Sequence, residues 1–332
     1  MAPFAPGCQD PAPGVGVGTW AWGNRLLWGY EPGQDTLLQD TFHRCLDKGL
    51  TFFDTADSYG TGRLKGRSEL LLGRFCAALP AEQRAALTVA TKLAPYPWRL
   101  GRRGYAAAFA ASSERLGGKL DRVQLHWSTA RYAPWQEGPL LEGLADLVEQ
   151  GAVATMGVSN MGPRRLRQVQ RRLADRGVRL SSLQVQLSLL APQALASGGV
   201  VEVCQELGIE LIAYSPLALG LLACAPGPRP PVSQGPRGLL WRRLWPGLQP
   251  LLQAVAAVAT THGANPVEVA LNWCRAHGAM PIPGLRRVDQ VETAARALTW
   301  TLSPAECREL DRLASLSVAA GVAMPANPFV SD

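Results

Sequence analysis

Residues 51–60, TFFDTADSYG, contain the pattern on which the interpretation of the fold depends. A short run of β-branched and aromatic residues leads into Asp54, and Tyr59 follows five residues later. Similar apolar runs lead into Lys92, in VATKL at 89–93, and into His126, in RVQLHW at 122–127. Each run predicts a buried strand with a polar side chain at or just beyond its carboxyl end.

These four polar side chains would meet in only some architectures. In a parallel α/β barrel the carboxyl ends of all strands lie on one face, so residues far apart in sequence come together there. Any one of the four alone could be a strand-end cap or a satisfied polar residue. Together they indicate a site where a phenol, flanked by an ammonium, an imidazole and a carboxylate, can donate a proton near neutral pH.

The spacing of apolar runs along the rest of the chain predicts eight strands that alternate with helices. They lie near 14–20, 51–55, 87–92, 122–127, 153–159, 182–188, 209–215 and 279–283. Helix-length segments between most of them carry apolar residues at three- and four-residue spacing. We therefore expect one α/β domain over residues 1–332, a (β/α)8 TIM barrel with its core at about 14–316. A doubly wound sheet is the alternative, but no GxGxxG opens a helix.

One segment interrupts this alternation. Residues 223–250, ACAPGPRPPVSQGPRGLLWRRLWPGLQP, are rich in Pro, Gly, Arg and Trp. The composition predicts a long loop after the seventh strand, either folded over a ligand or mobile on the surface.

Composition and charge exclude several classes of protein. The chain has 332 residues, 47% of them hydrophobic, and a formal net charge of +7. Much of the excess lies at 164–176, where six arginines predict the solvated face of a helix rather than a nucleic-acid site. The seven cysteines and four histidines show no metal-ligand spacing. Without a membrane-length apolar run or an N-terminal signal core, we expect a soluble intracellular protein.

The motifs taken together resemble the aldo-keto reductases, and most closely their plant, algal and bacterial branch. The resemblance rests on FFDTADSYG, VATKL, VQLHW, MGVSN, SLQVQLSLL, AYSPLALGLL and PIPG, in this order, from about residue 18 to 310. It implies a (β/α)8 barrel that binds NADPH in an extended form across its carboxyl face, under a cofactor-covering loop at 223–250.

The resemblance also implies catalytic roles for the four polar residues. Tyr59 would be the general acid that protonates a carbonyl oxygen, and Lys92 would lower the pKa of the phenol, which is normally near ~10. Asp54 would hold Lys92, and His126 would bind the substrate oxygen.

Sixteen residues match the cofactor-binding positions of the family. Ser159, Asn160 and Gln184 would bind the nicotinamide carboxamide, Tyr214 would stack on the ring, and Arg286 would bind the 2′-phosphate of NADPH. The full set is Gly18, Thr19, Trp20, Ser159, Asn160, Gln184, Tyr214, Ser215, Pro216, Leu217, Gly220, Leu221, Ile282, Gly284, Arg286 and Gln290.

Two departures from the family pattern concern the cofactor. Thr293 and Ala294 stand where a Glu-Asn pair usually contacts the adenine, and Glu292 is a candidate substitute. The stretch LLACAPG at 221–227 replaces Leu-Thr-Gly-Lys-Tyr, so the lysine of the pyrophosphate clamp is missing. We expect any loss to fall on cofactor affinity rather than on catalysis.

The substrate is expected to be a small aldehyde or ketone, with pyridoxal among the candidates. Aromatic side chains near strand ends predict an apolar mouth, and Trp22, Trp98 and Trp127 are assigned to it, with Trp20, Tyr132 and Trp135 nearby. The alternative function is an NADP(H)-binding regulatory or redox-sensing protein with slow or no turnover. The further expectations are a monomer or weak oligomer, no metal, no nucleic-acid or membrane partner, and a cytoplasmic or alternatively a plastid location.

Overall fold

The computed structural model describes residues 13–231 and 235–332 and contains a barrel of eight parallel strands. The strands follow chain order around the barrel, so each is hydrogen-bonded to the next in sequence. They are β1 (Val17–Gly18), β2 (Phe52–Asp54), β3 (Thr88–Leu93), β4 (Arg122–Leu125), β5 (Thr155–Ser159), β6 (Leu180–Gln186), β7 (Glu210–Tyr214) and β8 (Ala279–Ile282).

Helices connect the strands on the outside of the barrel. They are α1 (Arg25–Trp28), α2 (Asp35–Asp47), α3 (Arg67–Ala77), α4 (Ala81–Ala85), α5 (Gly101–Arg115), α6 (Pro134–Glu149), α7 (Pro163–Ala174), α8 (Val200–Leu207), α9 (Pro236–Thr261), α10 (Pro266–Ala276), α11 (Val288–Arg296) and α12 (Pro304–Ala319). Short 3₁₀ turns occur at Pro32–Gln34, Gly62–Leu64, Pro192–Leu195, Ala218–Ala223 and Ala297–Thr299. The predicted (β/α)8 barrel is confirmed.

The barrel is closed by a short seam between β8 and β1. The Gly16 N–H donates to the Pro281 carbonyl at 3.0 Å, and the Gly18 N–H donates to the Pro283 carbonyl at 2.9 Å. A Cβ on Gly18 would lie 2.8 Å from the Ile282 carbonyl oxygen, so only glycine lets the two strands approach this closely. The seam therefore depends on the absence of a side chain at Gly18.

The hydrophobic core lies mainly between the strands and the surrounding helices. In α2 the apolar residues Leu38, Phe42 and Cys45 are buried, as the helical spacing predicted. A smaller cluster inside the barrel is made of Ile212, Met280 and Ile282. This arrangement fixes the strand ends, and hence the polar residues that follow them, on a rigid frame.

The prediction of an irregular segment over the whole of 223–250 is wrong in its second half. Helix α9 begins at Pro236, so residues 236–250 are helical. Pro236 is in the first turn, where its fixed φ favours helix and no N–H is needed. The buried side chains Trp241, Leu244, Trp245 and Leu248 follow the spacing of one helix face. The Pro and Gly content hid this pattern, although Pro246 and Pro250 are accommodated inside the helix.

The arginine-rich stretch forms α7 and the turn that follows it. Arg172 pairs with Glu142 of α6 at 2.8 Å, and Arg176 pairs with Asp146 at 2.7 Å and Glu149 at 2.6 Å. These ion pairs neutralise part of the local charge and join two neighbouring helices.

Three further features of the described residues concern membranes, metals and cysteines. None of the helices there is both long enough and apolar enough to cross a membrane. No group of three or more His, Cys, Asp or Glu side chains in the described ranges could hold a metal ion. Within those ranges Cys45, Cys76, Cys204, Cys224 and Cys274 are free thiols, and Cys8 lies outside them.

Candidate active site

A cavity of about 1220 Å³ opens at the carboxyl ends of the strands. Asp54, Tyr59, Lys92 and His126, which are far apart in sequence, all line it. Asp54 ends β2, Lys92 lies near the end of β3, and His126 directly follows β4. The structure thus brings together the four polar residues that sequence reasoning singled out.

Lys92 and Asp54 form a buried ion pair at the base of the cavity. The Lys92 ammonium donates to the Asp54 carboxylate and, at 2.9 Å, to the Thr55 carbonyl oxygen. The other carboxylate oxygen of Asp54 accepts from the side-chain amides of Gln184 at 2.8 Å and Gln124 at 3.2 Å. Because both charged groups are only 1% exposed, this network holds the ammonium in one position.

Tyr59 lies beside this ion pair, and its hydroxyl has no hydrogen-bond partner among the described residues. The Lys92 ammonium is 4.9 Å from the centroid of the phenol ring, and no described residue hydrogen-bonds the Tyr59 hydroxyl. Burial, with a smaller contribution from Asp54, raises the pKa of Tyr59 well above its usual value. In the ligand-free protein burial therefore outweighs any lowering of this pKa by Lys92, and the phenol is held protonated near pH 7.

His126 lies on the other side of the Tyr59 ring. Its ring is edge-on to the Tyr59 ring at 5.9 Å, and its Nδ1 is 3.3 Å from the Ser58 hydroxyl. Burial, followed by the charges of Lys92 and Arg99, lowers the pKa of His126 well below its ordinary value. The imidazole is thus neutral near pH 7, with one donor and one acceptor nitrogen.

The backbone after Tyr59 is held in a conformation that requires glycine. Gly60 has φ of 113°, and a Cβ there would lie 1.8 Å from the Leu64 carbonyl oxygen. The Gly66 N–H also donates to the Tyr59 carbonyl at 2.8 Å, which closes the loop around the tyrosine. This loop therefore fixes the position of the phenol.

Gly60→Ala should lower the free energy of unfolding by about 3 kcal/mol or more and reduce turnover, because the loop must move to admit the methyl group. Gly62→Ala is the matched control, since Gly62 also has positive φ, 57°, but nothing lies within 4 Å of its Cβ position. Its cost should be only about 1 kcal/mol. Equal losses in the two variants, measured by urea unfolding, would contradict the crowding argument.

Residues at the carboxyl ends of β5, β6 and β7 build the cavity wall next to these four side chains. Asn160 has φ of 59°, and its side-chain amide donates to the His126 carbonyl at 3.2 Å and to Ser159 Oγ at 3.0 Å. Its Oδ1 accepts from the Tyr214 hydroxyl at 2.9 Å. Ser159, Asn160, Gln184 and Tyr214 all line the cavity, although the Gln184 amide is already bonded to Asp54.

The loop after β7 continues the cavity wall. Ser215, Ala218 and Leu219 have positive φ, which is uncommon for residues with a side chain. Such strained backbone clusters at ligand-binding sites. Ser215, Pro216, Leu217 and Gly220 line the cavity, whereas Leu221 is fully buried beneath it.

The end of β8 and the segment after it form the far end of the cavity. Ile282, Gly284, Arg286 and Gln290 line it, and Gln290 Oε1 accepts from the Arg286 N–H at 2.8 Å. Of the two departures from the family pattern, the pair Thr293 and Ala294 lies within α11 and also lines the cavity. Glu292 does not substitute for the missing carboxylate, because it pairs with Arg44 and, at 3.0 Å, with Lys48 on α2.

Two residues assigned to the substrate pocket lie elsewhere. Trp22 is fully buried, and its indole N–H donates to the Leu285 carbonyl at 2.8 Å. Trp98 is 69% exposed and stacks on Tyr96 outside the cavity lining. A tryptophan near a strand end can pack in the core, lie on the surface or line the cavity, because its indole is large and mostly apolar. The sequence alone therefore did not show which of the three applies to Trp22 and Trp98.

Of the other residues predicted to bind the cofactor or substrate, some line the cavity and some do not. Gly18, Trp20 and Trp127 line the cavity. Thr19 is buried behind it and donates to the Asp54 carbonyl at 2.9 Å. Trp135 is 74% exposed and lies outside the lining.

Sequence reasoning missed two groups of cavity residues. The first is Trp28, Arg237 and Trp241, whose only signal was the GPRG motif at 235–238. The second is the C-terminal segment, in which residues 324–329 line the cavity beyond the predicted core boundary. There the Asn327 amide donates to Asn160 Oδ1 at 3.0 Å, and the Phe329 ring stacks on Trp127 at 4.9 Å.

Comparisons with known proteins agree with this geometry. The model of the aldo/keto reductase family matches residues 14–315. A chloroplastic pyridoxal reductase from Arabidopsis thaliana is 46% identical over 309 residues, which cover 91% of this chain and 83% of the relative. An uncharacterized oxidoreductase from Mycobacterium bovis is 32% identical over 296 residues, covering 87% of this chain and 85% of the relative.

Solved structures give the same result. An aldo-keto reductase from Klebsiella pneumoniae in complex with NADPH is similar to this chain with a TM-score of 0.71 and 25% identity, covering 97% of this chain and 95% of the other. An aldo/keto reductase of the same organism, in complex with NADP and acetate, has a TM-score of 0.71, 26% identity, and coverage of 96% and 95%. Family match, sequence identity and fold lead to one conclusion: the chain belongs to the aldo/keto reductase family.

Proposed function

We propose that this protein reduces an aldehyde or ketone to the alcohol, with NADPH as the hydride donor and Tyr59 as the proton donor. As a member of its family the chain is an NADP-dependent oxidoreductase. The observation that carries the specific proposal is a protonated, unengaged phenol between a buried ammonium and a neutral imidazole, all facing one cavity.

The described residues fit a dinucleotide phosphate. The cavity of about 1220 Å³ exceeds the usual size of a single small-molecule site, so it has room for a long ligand and a small substrate. Its far end carries Arg286, which is partly buried and has no carboxylate partner among the described residues. Such an arginine suits the 2′-phosphate that distinguishes NADPH from NADH.

The reduction consists of two transfers, a hydride to the carbonyl carbon and a proton to the carbonyl oxygen. Bound NADPH would supply the hydride to the carbonyl carbon. The developing charge on the carbonyl oxygen takes the proton of the Tyr59 hydroxyl, so the product is an alcohol and the residue is left as tyrosinate. The Lys92 ammonium, held by Asp54 and 4.9 Å from the phenol ring, stabilises that negative charge until water returns the proton.

His126 orients the substrate in this proposal. Because burial keeps its imidazole neutral, it can donate one hydrogen bond to the carbonyl oxygen without competing as an acid. The neighbouring Ser58 hydroxyl, 3.3 Å from Nδ1, can fix which nitrogen carries the proton.

Pyridoxal is the substrate that we propose to test first. The relative with 46% identity is a pyridoxal reductase, and its name places it in the chloroplast, which fits the plastid alternative for this chain. The aromatic side chains Trp20, Trp127 and Phe329 line the cavity and could contact a planar ring.

A titration with NADPH followed by addition of pyridoxal tests the proposal. We expect saturable binding, then steady loss of NADPH fluorescence with an equal amount of pyridoxine formed over many turnovers. A panel of small aliphatic and aromatic aldehydes serves to compare substrates. Binding of NADPH without turnover of any aldehyde would contradict the proposal and favour the regulatory alternative.

A further inference from the structure

We infer that Asn327, close to the C-terminus, is a positioning residue for hydride transfer that holds Asn160 and Tyr214 in one fixed arrangement. The inference rests on the proposed function, which assigns those two residues to the nicotinamide. Asn327 acts through them, by hydrogen bonds between side chains that line the same cavity.

The segment that carries Asn327 is attached to the barrel at both ends. Residues 324–331 form this segment, which we call the C-terminal strap, and most of them line the cavity. At one end the Met324 N–H donates to the Leu190 carbonyl at 2.8 Å. At the other end the Ser331 carbonyl accepts from the Gly162 N–H at 2.6 Å. The middle of the strap therefore lies between two fixed points.

Three hydrogen bonds fix the orientation of the Asn327 side-chain amide. Its Oδ1 accepts from the Phe329 N–H at 2.9 Å. Its NH₂ group donates to Asn160 Oδ1 at 3.0 Å and to the Tyr214 hydroxyl oxygen at 2.8 Å. One end of the amide thus faces a donor and the other end faces two acceptors, so a flip of the amide would break all three bonds.

Asn327, Asn160 and Tyr214 form a closed network of three side chains. The Tyr214 hydroxyl donates to Asn160 Oδ1 at 2.9 Å and accepts from Asn327. With its Oδ1 engaged by these two donors, Asn160 turns its NH₂ group towards Ser159 Oγ at 3.0 Å and the His126 carbonyl at 3.2 Å. A polar network in which every member is satisfied is rigid.

The two residues held by Asn327 need this support. Asn160 has φ of 59°, a conformation that residues with a side chain rarely adopt. Among the described residues, the Tyr214 hydroxyl bonds only to Asn160 and Asn327. Without Asn327, each loses one of the bonds that define its position. An error of about 1 Å at the reacting atoms can slow a reaction about 100-fold, so the loss should fall on hydride transfer more than on binding.

Single-turnover hydride transfer, at saturating NADPH and pyridoxal, tests the inference. Asn327→Leu has a similar shape but no donor; we expect the transfer to be about 10- to 100-fold slower, with a smaller change in the Kd of NADPH. Asn327→Gln keeps the donating amide on a longer side chain and should recover part of the rate. Val330→Ala is the control on the same strap, because Val330 is partly exposed and does not line the cavity. It should change neither quantity.

A double-mutant cycle with Tyr214→Phe separates positioning from general support of the fold. If Asn327 acts through the Tyr214 hydroxyl, the two substitutions disrupt one network, and the loss of rate in the double variant should fall well short of the product of the single losses. Losses that multiply would show that Asn327 acts independently of Tyr214, and the inference would be wrong.

The remaining outcomes distinguish this inference from the proposed function. If the wild type reduces pyridoxal and Asn327→Leu transfers the hydride equally fast, the inference fails and the proposed function stands. A raised KM for pyridoxal with an unchanged rate at saturation would make Asn327 a substrate contact only, which also overturns the inference. A wild type that reduces no aldehyde overturns both. Thermal unfolding checks the folding of each variant. If Asn327→Leu does not fold, Asn327→Asp decides the case, since it keeps the shape and the acceptor for Phe329 but cannot donate.

Discussion

Replacement of Tyr59 by Phe should reduce the rate of aldehyde reduction by about 100- to 10,000-fold, the usual contribution of a positioned general acid. The substitution removes only the transferable proton. Since no described residue hydrogen-bonds the Tyr59 hydroxyl, the ring can stay in place and no protein hydrogen bond is lost. NADPH affinity and the free energy of unfolding should therefore change little. The measurement is single-turnover loss of NADPH fluorescence after mixing with pyridoxal.

Tyr105→Phe is the matched control for this experiment. The Tyr105 hydroxyl is fully buried and donates to the Leu93 carbonyl at 3.0 Å, but the residue does not line the cavity. Its loss should lower the free energy of unfolding by about 1 kcal/mol and leave the chemical step unchanged. If Tyr59→Phe instead keeps full activity, another group supplies the proton and the proposed mechanism is wrong.

Asp54→Asn should produce the largest loss of stability among the substitutions considered. Asp54 and Lys92 are each 1% exposed, so the variant leaves a buried ammonium without its counter-charge. Breaking a buried pair in this way typically costs about 3 to 5 kcal/mol. Turnover should fall as well, because the Lys92 ammonium is no longer held beside the phenol. Chemical denaturation at constant temperature measures the first effect.

The pH dependence of this variant gives a sharper test than its stability at one pH. Burial lowers the pKa of Lys92, and Asp54 is the group that most opposes this shift. Without the carboxylate, the pKa of Lys92 falls further below its unfolded value, so the unfolded chain binds more protons than the folded one between the two pKa values. The free energy of unfolding of the variant then rises with pH in that range. Its deficit relative to the wild type should shrink as pH rises from the folded-state pKa of Lys92 in the variant to that in the wild type.

Glu309→Gln serves as the control for these measurements. Glu309 pairs with Arg312 on the exposed surface of α12, where solvent screens the interaction. We expect no measurable change in stability at any pH. A deficit for Asp54→Asn that is constant with pH would show that the Lys92 ammonium does not depend on the carboxylate.

The sequence was sufficient to predict the barrel and the meeting of Asp54, Tyr59, Lys92 and His126 in one cavity, for a physical reason. Parallel strands buried on both faces need continuous apolar runs, and their polar residues are confined to the strand ends. Asp54, Lys92 and His126 could thus be placed on one face without any knowledge of distances. The electrostatics of Tyr59 could not be predicted in the same way, because the shift of its pKa is set mainly by burial, with a smaller contribution from Asp54.

The parts that sequence reasoning missed depend on packing between distant segments. Trp22 and Trp98 have the same side chain, yet one is in the core and the other is exposed. Helix α9 was hidden because proline and glycine weigh against a helix locally, while burial of Trp241 and its neighbours favours one. Asn327 reaches Asn160 from 167 residues away, and no local pattern marks such a contact.

The seam between β8 and β1 has a consequence for how the protein responds to its ligands. Gly18 and Gly284, which form the bridge across the seam, both line the cavity. A long ligand that lies over both glycines would contact the first and the last strand at the same time. It would therefore stabilise the closed barrel as a whole. At a concentration about 100 times its Kd, such a ligand adds about 2.7 kcal/mol to the free energy of unfolding. The lifetime of the folded chain in a cell would then follow the supply of its ligand.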